Sequence, residues 1–284
     1  MFSIRKICIP LLRLVRHTSS RSVPYVLSER VDSCIQVLTL NDEKKANCLS
    51  SALISELHNA LRDIERDPDV RALIISGAGR FFSAGHDLNE IGEGATTESR
   101  SKLFNACSQM MQELSDLSVP SVAAIRGPAL AAGCQLVAAC DLAVSGQSSV
   151  FSTPGVKLGL FCSTPAVSLV RAIGLRAAKE LLLTGHAIKA QRAYELGLVH
   201  RVVPDDQVMD AALELAREIA QHSKPVVALG KCTLNKQASV DSTEMAYTIS
   251  TEAMLRNLQF KDTQAGIRAF IQKQPMPKWK HRAD

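Results

Sequence analysis

The chain has 284 residues, with 33 Lys and Arg against 28 Asp and Glu, a formal charge of +5, 46% hydrophobic residues and eight cysteines. That length suits one large α/β domain, and no Gly/Ser-rich or Pro-rich linker divides it. Arg5, Lys6, Arg13, Arg16, Arg21 and Arg30 face a single acid, Glu29, within residues 1–30; the other 27 bases and 27 acids cancel, which excludes a general nucleic-acid footprint.

The leader MFSIRKICIPLLRLVRHTSSRS is Arg-rich, carries serines and lacks acids, with Ile4, Ile7, Leu11, Leu12, Leu14 and Val15 among the bases. Residues 1–22 therefore read as a mitochondrial transit peptide rather than a secretory signal, because Arg13 and Arg16 interrupt any apolar core. A basic tail on a cytosolic protein is the other reading. No later apolar run is long and charge-free enough to predict a membrane span. Cys8, Cys34, Cys48, Cys107, Cys134, Cys140, Cys162 and Cys232 show no zinc-like spacing, and most sit among apolar residues, as small core side chains in a reducing compartment do.

Residues 33–40 alternate around β-branched side chains and predict a first strand, followed by a polar turn over 41–47. Leu53, Ile54, Leu57, Leu61 and Ile64 then recur at helical spacing behind Ser50, the predicted N-cap, with Pro68 just past the end. The surface of this helix mixes Glu56, Asp63, Glu65 and Asp67 with Arg62 and Arg66, so it is no basic comb for RNA. Residues 72–75 read as a strand buried on both faces, bounded by Gly77 and Gly79. The chain then turns sharply over 81–88, where Ser83, Ala84 and Gly85 are too small to screen the main chain from a ligand. A free N–H at such a turn suits an oxyanion; an ordinary strand-to-helix turn is the alternative.

Residues 92–101 read as a mobile polar loop, and Leu103, Cys107, Met110, Met111, Leu114 and Leu117 mark the next helix. Residues 120–141 repeat the earlier plan, with a strand over 122–125, a turn of tiny residues over 127–133, and a helix from near Ala132 whose first amides are unsatisfied. Two such turns together point to a two-donor oxyanion site. Short strands over 142–145 and 149–152 precede the segment 153–160. Helices are predicted over 166–173, 176–183 and 190–196, a strand over 198–203, a helix capped by Asp205 and reaching His222, and helices over 225–237 and 242–260. Met245, Ile249, Met254 and Leu258 predict a packed or subunit-contacting face on the last of these.

The segments FFSAGHDLNEI, IRGPALAAGCQLVAACDLAV, FSTPGVKLGLF, LLLTGHAIKAQRAYELGLVHRVVP and GIRAFIQK, in this order, resemble the crotonase (enoyl-CoA hydratase/isomerase) superfamily over nearly everything after about residue 28. The resemblance implies an α/β domain over 28–284. Its core, about 28–200, would be a crotonase-like spiral of ββα turns, and residues 205–284 a C-terminal helical trimerisation region, giving a homotrimer or hexamer. It also implies that a bent acyl-CoA thioester is bound, with CoA as part of the substrate and no separate cofactor or metal. The thioester carbonyl would sit between the main-chain amides of His86 and Ala132, and fixed donors of this kind are worth about 3 kcal/mol each to a developing enolate. Ala84, Asp87, Leu88 and Asn89 match positions that line the CoA site. Lys44 and Lys45 are candidates for the CoA phosphates, as is Lys273 from a neighbouring subunit; solvated surface positions are the alternative for all three.

Hydratases of the family hold and activate water with two glutamates, and the matching positions are Gln135 and Gly155. Glutamine can orient a water or substrate but exchanges no proton near neutral pH, and glycine has no functional group. The resemblance thus implies a mitochondrial matrix protein of fatty acid or lipid metabolism whose chemistry is decarboxylation, thioester hydrolysis or isomerisation rather than hydration. A non-catalytic acyl-CoA-binding regulatory protein is the alternative. Asp141 matches a structural carboxylate, Lys157 reads as a loop residue, and the His86 imidazole, Cys162 and Ser163 are further groups near the acyl pocket.

Overall fold

The computed structural model describes residues 23–282; the stretch read as a transit peptide, with Cys8, lies outside them. β1 (Val26–Val31) and β2 (Ile35–Leu40) form an antiparallel hairpin closed by Asp32 and Ser33 at positive φ. The sequence predicts one strand here, because β1 buries only its first residue and so carries no apolar alternation. α1 (Ser51–Arg66) starts where Ser50 Oγ accepts the Leu53 N–H at 3.3 Å, and it buries Leu53, Ile54, Leu57, Leu61 and Ile64. Burying five such aliphatics contributes on the order of 10 kcal/mol before chain entropy is set against it.

β3 (Ala72–Gly77) runs parallel to β2. Its side chains alternate between two cores, Leu73 and Ile75 packing with α1 and Ala72 and Ile74 on the opposite face, as expected of a strand buried on both sides. α2 (Leu88–Ile91) is a single turn, and α3 (Thr97–Asp116) begins inside the stretch read as a mobile loop. The physical reason is a cap, since Thr96 Oγ1 accepts the Ser99 N–H at 3.1 Å.

β4 (Ser121–Ile125), β5 (Ala129–Leu130), α4 (Ala132–Ala139), β6 (Leu142–Gly146) and β7 (Val150–Ser152) follow. α5 (Ser163–Thr184) breaks at Gly174, φ 76° and ψ 159°, which is why the sequence reads it as two helices. β8 (Ile188–Lys189), α6 (Ala190–Glu195) and β9 (Arg201–Val203) lead to α7 (Val208–Ala220), α8 (Lys224–Ala238), α9 (Thr243–Asn257) and α10 (Lys261–Ile271). Asp205 does not cap α7: it lies in a preceding 3-10 turn, and its Oδ1 accepts the Ser148 N–H at 3.0 Å.

The main sheet has the order β1-β2-β3-β4-β6-β9, parallel except for β1, and β5-β7-β8 form a small second sheet. α1, α3, α4 and α5 cover one face of the main sheet, and α7 covers the other through Val208, Ala212, Leu215 and Ala216. α9 buries none of its residues within the chain, and Met245, Met254 and Leu258 are exposed together with Tyr247 and Leu255. Among the described residues no helix is long and apolar enough to cross a membrane.

Candidate oxyanion site

Buried Asn47, φ 52°, organises the loop that follows β2, because Asn tolerates the left-handed conformation and has an amide to spend on the main chain. Its Nδ2 donates to Ala78 O at 2.8 Å and Phe81 O at 2.7 Å, while its Oδ1 accepts the Asp42 N–H at 2.8 Å. These bonds fix the turn after β3. In the sequence 41–47 is a plain polar turn, and a lone Asn ahead of a helix start is the one mark of this role.

The same turn is then stitched to the second one. Leu130 N–H donates to Ser83 O, Ala84 N–H to Ala46 O, Leu49 N–H to Gly85 O and Ala131 N–H to Ser152 O, at 2.7–3.0 Å. Gly85 sits at φ 89°, where a Cβ would lie 2.9 Å from Ala131 Cβ and 3.1 Å from Ala132 N. Only glycine permits both the conformation and the approach. The two turns predicted separately therefore meet along one seam at Gly85 and Ala132. Among the described residues, neither the His86 nor the Ala132 N–H has a hydrogen-bond acceptor, and Ala132 is the first residue of α4, at its positive dipole end. Ala131, just before it, is held at φ 48° and ψ −116°, a conformation costly for any residue with a Cβ.

Gln135, Thr153 and Gly155 bring no charge to this seam. Gln135, one turn along α4, is 4% exposed, and its Oε1 is buried without a partner among the described residues, as is Oγ1 of the fully buried Thr153. Gly155 lies in the 3-10 turn Pro154–Leu158, where a Cβ would run into the Leu160 carbonyl oxygen and come within 2.7 Å of Cys162 Sγ. Burial pushes the Cys162 thiol up, and that of fully buried Cys134 up to about 12, so neither is a thiolate at neutral pH. Ser163 is exposed. The His86 ring packs edge-on to Phe104 of α3, centroids 5.1 Å apart, with Nδ1 3.2 Å from Leu49 O and Nε2 buried without a partner among the described residues. Burial holds its pKa below the ordinary 6.5, outweighing the Leu49 bond and the nearby Glu90.

Asp87 is a buried structural acid. Its Oδ1 accepts the main-chain N–H and side-chain amide of Asn89, capping α2, and its Oδ2 pairs with Lys45 Nζ at 2.6 Å, which holds its carboxyl below the usual range. Leu88 and Asn89 are exposed on that helix, and Ala84 is half-buried with its N–H already bonded. Lys44 is exposed in the 3-10 turn Glu43–Lys45. Lys273 follows α10 at φ 53°, its N–H donating to Phe270 O at 3.1 Å. Asp141 Oδ2 is taken up by structure: it accepts from Ser121 N, Ser121 Oγ and the Nζ of buried Lys231, the last at 2.7 Å. Among the described residues no group of three His, Cys, Asp or Glu is placed to hold a metal ion.

Comparison with known proteins matches this architecture. The family model for enoyl-CoA hydratase/isomerase matches residues 30–282. Mitochondrial enoyl-CoA hydratase domain-containing protein 3 of Rattus norvegicus is 42% identical over 266 residues, covering 94% of this chain and 88% of that protein. The solved structure of its human counterpart superposes with a TM-score of 0.85 at 41% identity, covering 89% and 99% of the two chains. A Mycobacterium smegmatis enoyl-CoA hydratase superposes at 0.87 with 37% identity, covering 90% and 99%. With a family model spanning the domain and relatives of this identity over nearly its whole length, the chain belongs to the enoyl-CoA hydratase/isomerase (crotonase) family.

Proposed function

We propose that the protein binds an acyl-CoA thioester with its carbonyl oxygen on the main-chain N–H groups of His86 and Ala132, and that it acts on the thioester without hydrating a double bond. The observation that carries this reading is the pair of unacceptored amides meeting where the two small-residue turns touch. They are fixed donors, that of Ala132 at the start of α4, and favour a carbonyl that gains negative charge. Gln135 and Gly155 occupy the positions of the family's two glutamates, and the space a side chain at 155 would need is filled by Leu160 O and Cys162. Enolate chemistry, in decarboxylation, thioester hydrolysis or isomerisation, asks less of such a pair than water addition does. Gln135 and Thr153 offer uncharged groups to orient a water or an acyl oxygen.

Lys45 and Lys44, beside the Asp87-capped turn, would meet the CoA phosphates, and Ala84, Leu88 and Asn89 would line the nucleotide end. The basic leader, and the mitochondrial relatives named above, support a matrix location in fatty acid or lipid metabolism. The uncovered apolar residues Tyr247, Met254 and Leu255 on α9 and Phe270 and Ile271 on α10 support assembly as a homotrimer or hexamer, which would also bring Lys273 to a neighbour's site.

Ala132→Pro tests the reading. Proline is tolerated at the first position of a helix, so it removes the N–H and leaves α4 in place; pairing it with Ala131→Gly relieves the strained residue that precedes it. Purified protein screened against malonyl-type, enoyl and saturated thioesters is expected to turn over at least one, with the rate about 10²–10³-fold lower in the double variant and retained in Ala131→Gly. Calorimetric binding without turnover on any of them would assign the non-catalytic regulatory alternative.

A further inference from the structure

The unused polar atom closest in sequence to the proposed oxyanion site belongs to one of its own residues. His86 Nδ1 lies 3.2 Å from Leu49 O, a carbonyl, which can only accept; Nδ1 therefore carries the hydrogen, and Nε2 of the neutral ring keeps its lone pair. That Nε2 is buried and has no partner among the described residues. A buried acceptor left unpaired carries a desolvation cost that a bound molecule offering a hydrogen would offset. Leu49 O and the Phe104 edge contact restrict the ring. A thioester whose oxygen rests on the His86 N–H lies against the residue that carries Nε2.

We propose that His86 is bifunctional, its main-chain N–H holding the thioester oxygen and its Nε2 exchanging a proton with the α-carbon of the bound acyl group. This rests on the oxyanion reading above and supplies the proton-transfer group that Gln135 and Gly155 lack. In the step, the α C–H bond breaks and its proton goes to Nε2. The C–H pair forms a C=C bond to the carbonyl carbon, and the carbonyl π pair moves to the oxygen, held by the His86 and Ala132 amides. The imidazolium then returns the proton, either to the α-carbon or, for an acyl group with a C3–C4 double bond, to C4, which moves the double bond to C2–C3. Atoms and charge balance with no co-reactant. The matching substrate class is a 3-enoyl thioester.

The charged groups around the ring are accounted for. Glu90 of α2 is occupied by the N–H and hydroxyl of Ser51 and Asp87 by Lys45, while Arg100, one turn before Phe104 on α3, donates one terminal N–H to Gly92 O at 2.7 Å and keeps its Nε buried without a partner among the described residues. Leu49 of the segment before α1 contributes only its carbonyl. With the ring's pKa lowered by burial, the neutral form that accepts a proton dominates at pH 7.

The test is α-hydrogen exchange of 3-hexenoyl-CoA and hexanoyl-CoA in D2O, followed by proton NMR and mass, with calorimetric binding measured in parallel. The wild-type protein is expected to exchange both and to convert the first to the 2-enoyl isomer. The rate should rise with pH through a value below 6.5 and then stay level. His86→Asn, whose amide can still donate to Leu49 O, and His86→Gln both keep the main-chain donor, so each should bind within about threefold of wild type while exchange falls about 100-fold or more and loses its pH dependence. Exchange within tenfold of wild type in both variants, or wild-type binding without exchange, overturns the proposal. Absence of wild-type binding is a separate result, and it removes the oxyanion reading along with this one.

Discussion

Gly155→Glu, which would return a carboxylate to the position read as the family's second glutamate, is expected to destabilise the protein by about 3 kcal/mol or more and to bring no hydratase activity, with or without Gln135→Glu. A Cβ at 155 meets the Leu160 carbonyl oxygen, which is main chain and is itself tied down because Leu160 N–H donates to Gly155 O at 2.9 Å. Overpacking typically costs about 1–3 kcal/mol, and here a carboxylate is also pressed against a carbonyl and a neutral thiol with no cation to pair it. Gln135→Glu alone changes shape little and buries a carboxyl that stays largely protonated. Urea midpoints, together with hydration of crotonyl-CoA by the single and double variants, check this. A stable double variant with hydration above background would mean that the 154–162 segment is not fixed as described.

The second large effect is expected at Lys231. Its Nζ bonds Asp141 Oδ2 at 2.7 Å and Val119 O at 3.2 Å, joining α8 to the end of α4 and the start of β4. Lys231→Ala should cost about 3 kcal/mol, because it leaves Asp141 without its cation while Ser121 still anchors the carboxylate in place. Asp141→Asn with Lys231→Met removes both charges and should cost clearly less than Lys231→Ala. Denaturation of the three variants at pH 7 measures the difference. Equal losses in both would show that the contact is packing rather than charge, and a loss of thioester turnover without loss of stability would move Asp141 into the site.

What could be read from the sequence followed physical uniqueness. The strand 72–75, the α1 face, the break at Gly174 and the two small-residue turns each left a pattern that few conformations satisfy. β1 did not, since only Val26 is buried along it, and the start of α3 was hidden because the cap that decides it, Thr96 on Ser99, looks like any polar loop. Asp205 reads from the sequence as a helix cap, yet its carboxylate serves a residue 57 positions away, a long-range contact that local chemistry cannot announce. For the site, Gly85 and Ala132 were legible as candidates. That they touch, that Leu160 closes the space at Gly155, and that His86 Nε2 lacks a partner are properties of packing between distant segments.

The central claim is that one carbonyl oxygen receives two main-chain hydrogens. Infrared difference spectra of a 13C-labelled thioester carbonyl, free and bound to the wild-type protein, read that polarisation directly. The account predicts a bound carbonyl stretch at lower frequency, moving back toward the free value in the Ala131→Gly, Ala132→Pro variant. A bound stretch identical to that of free thioester would contradict it.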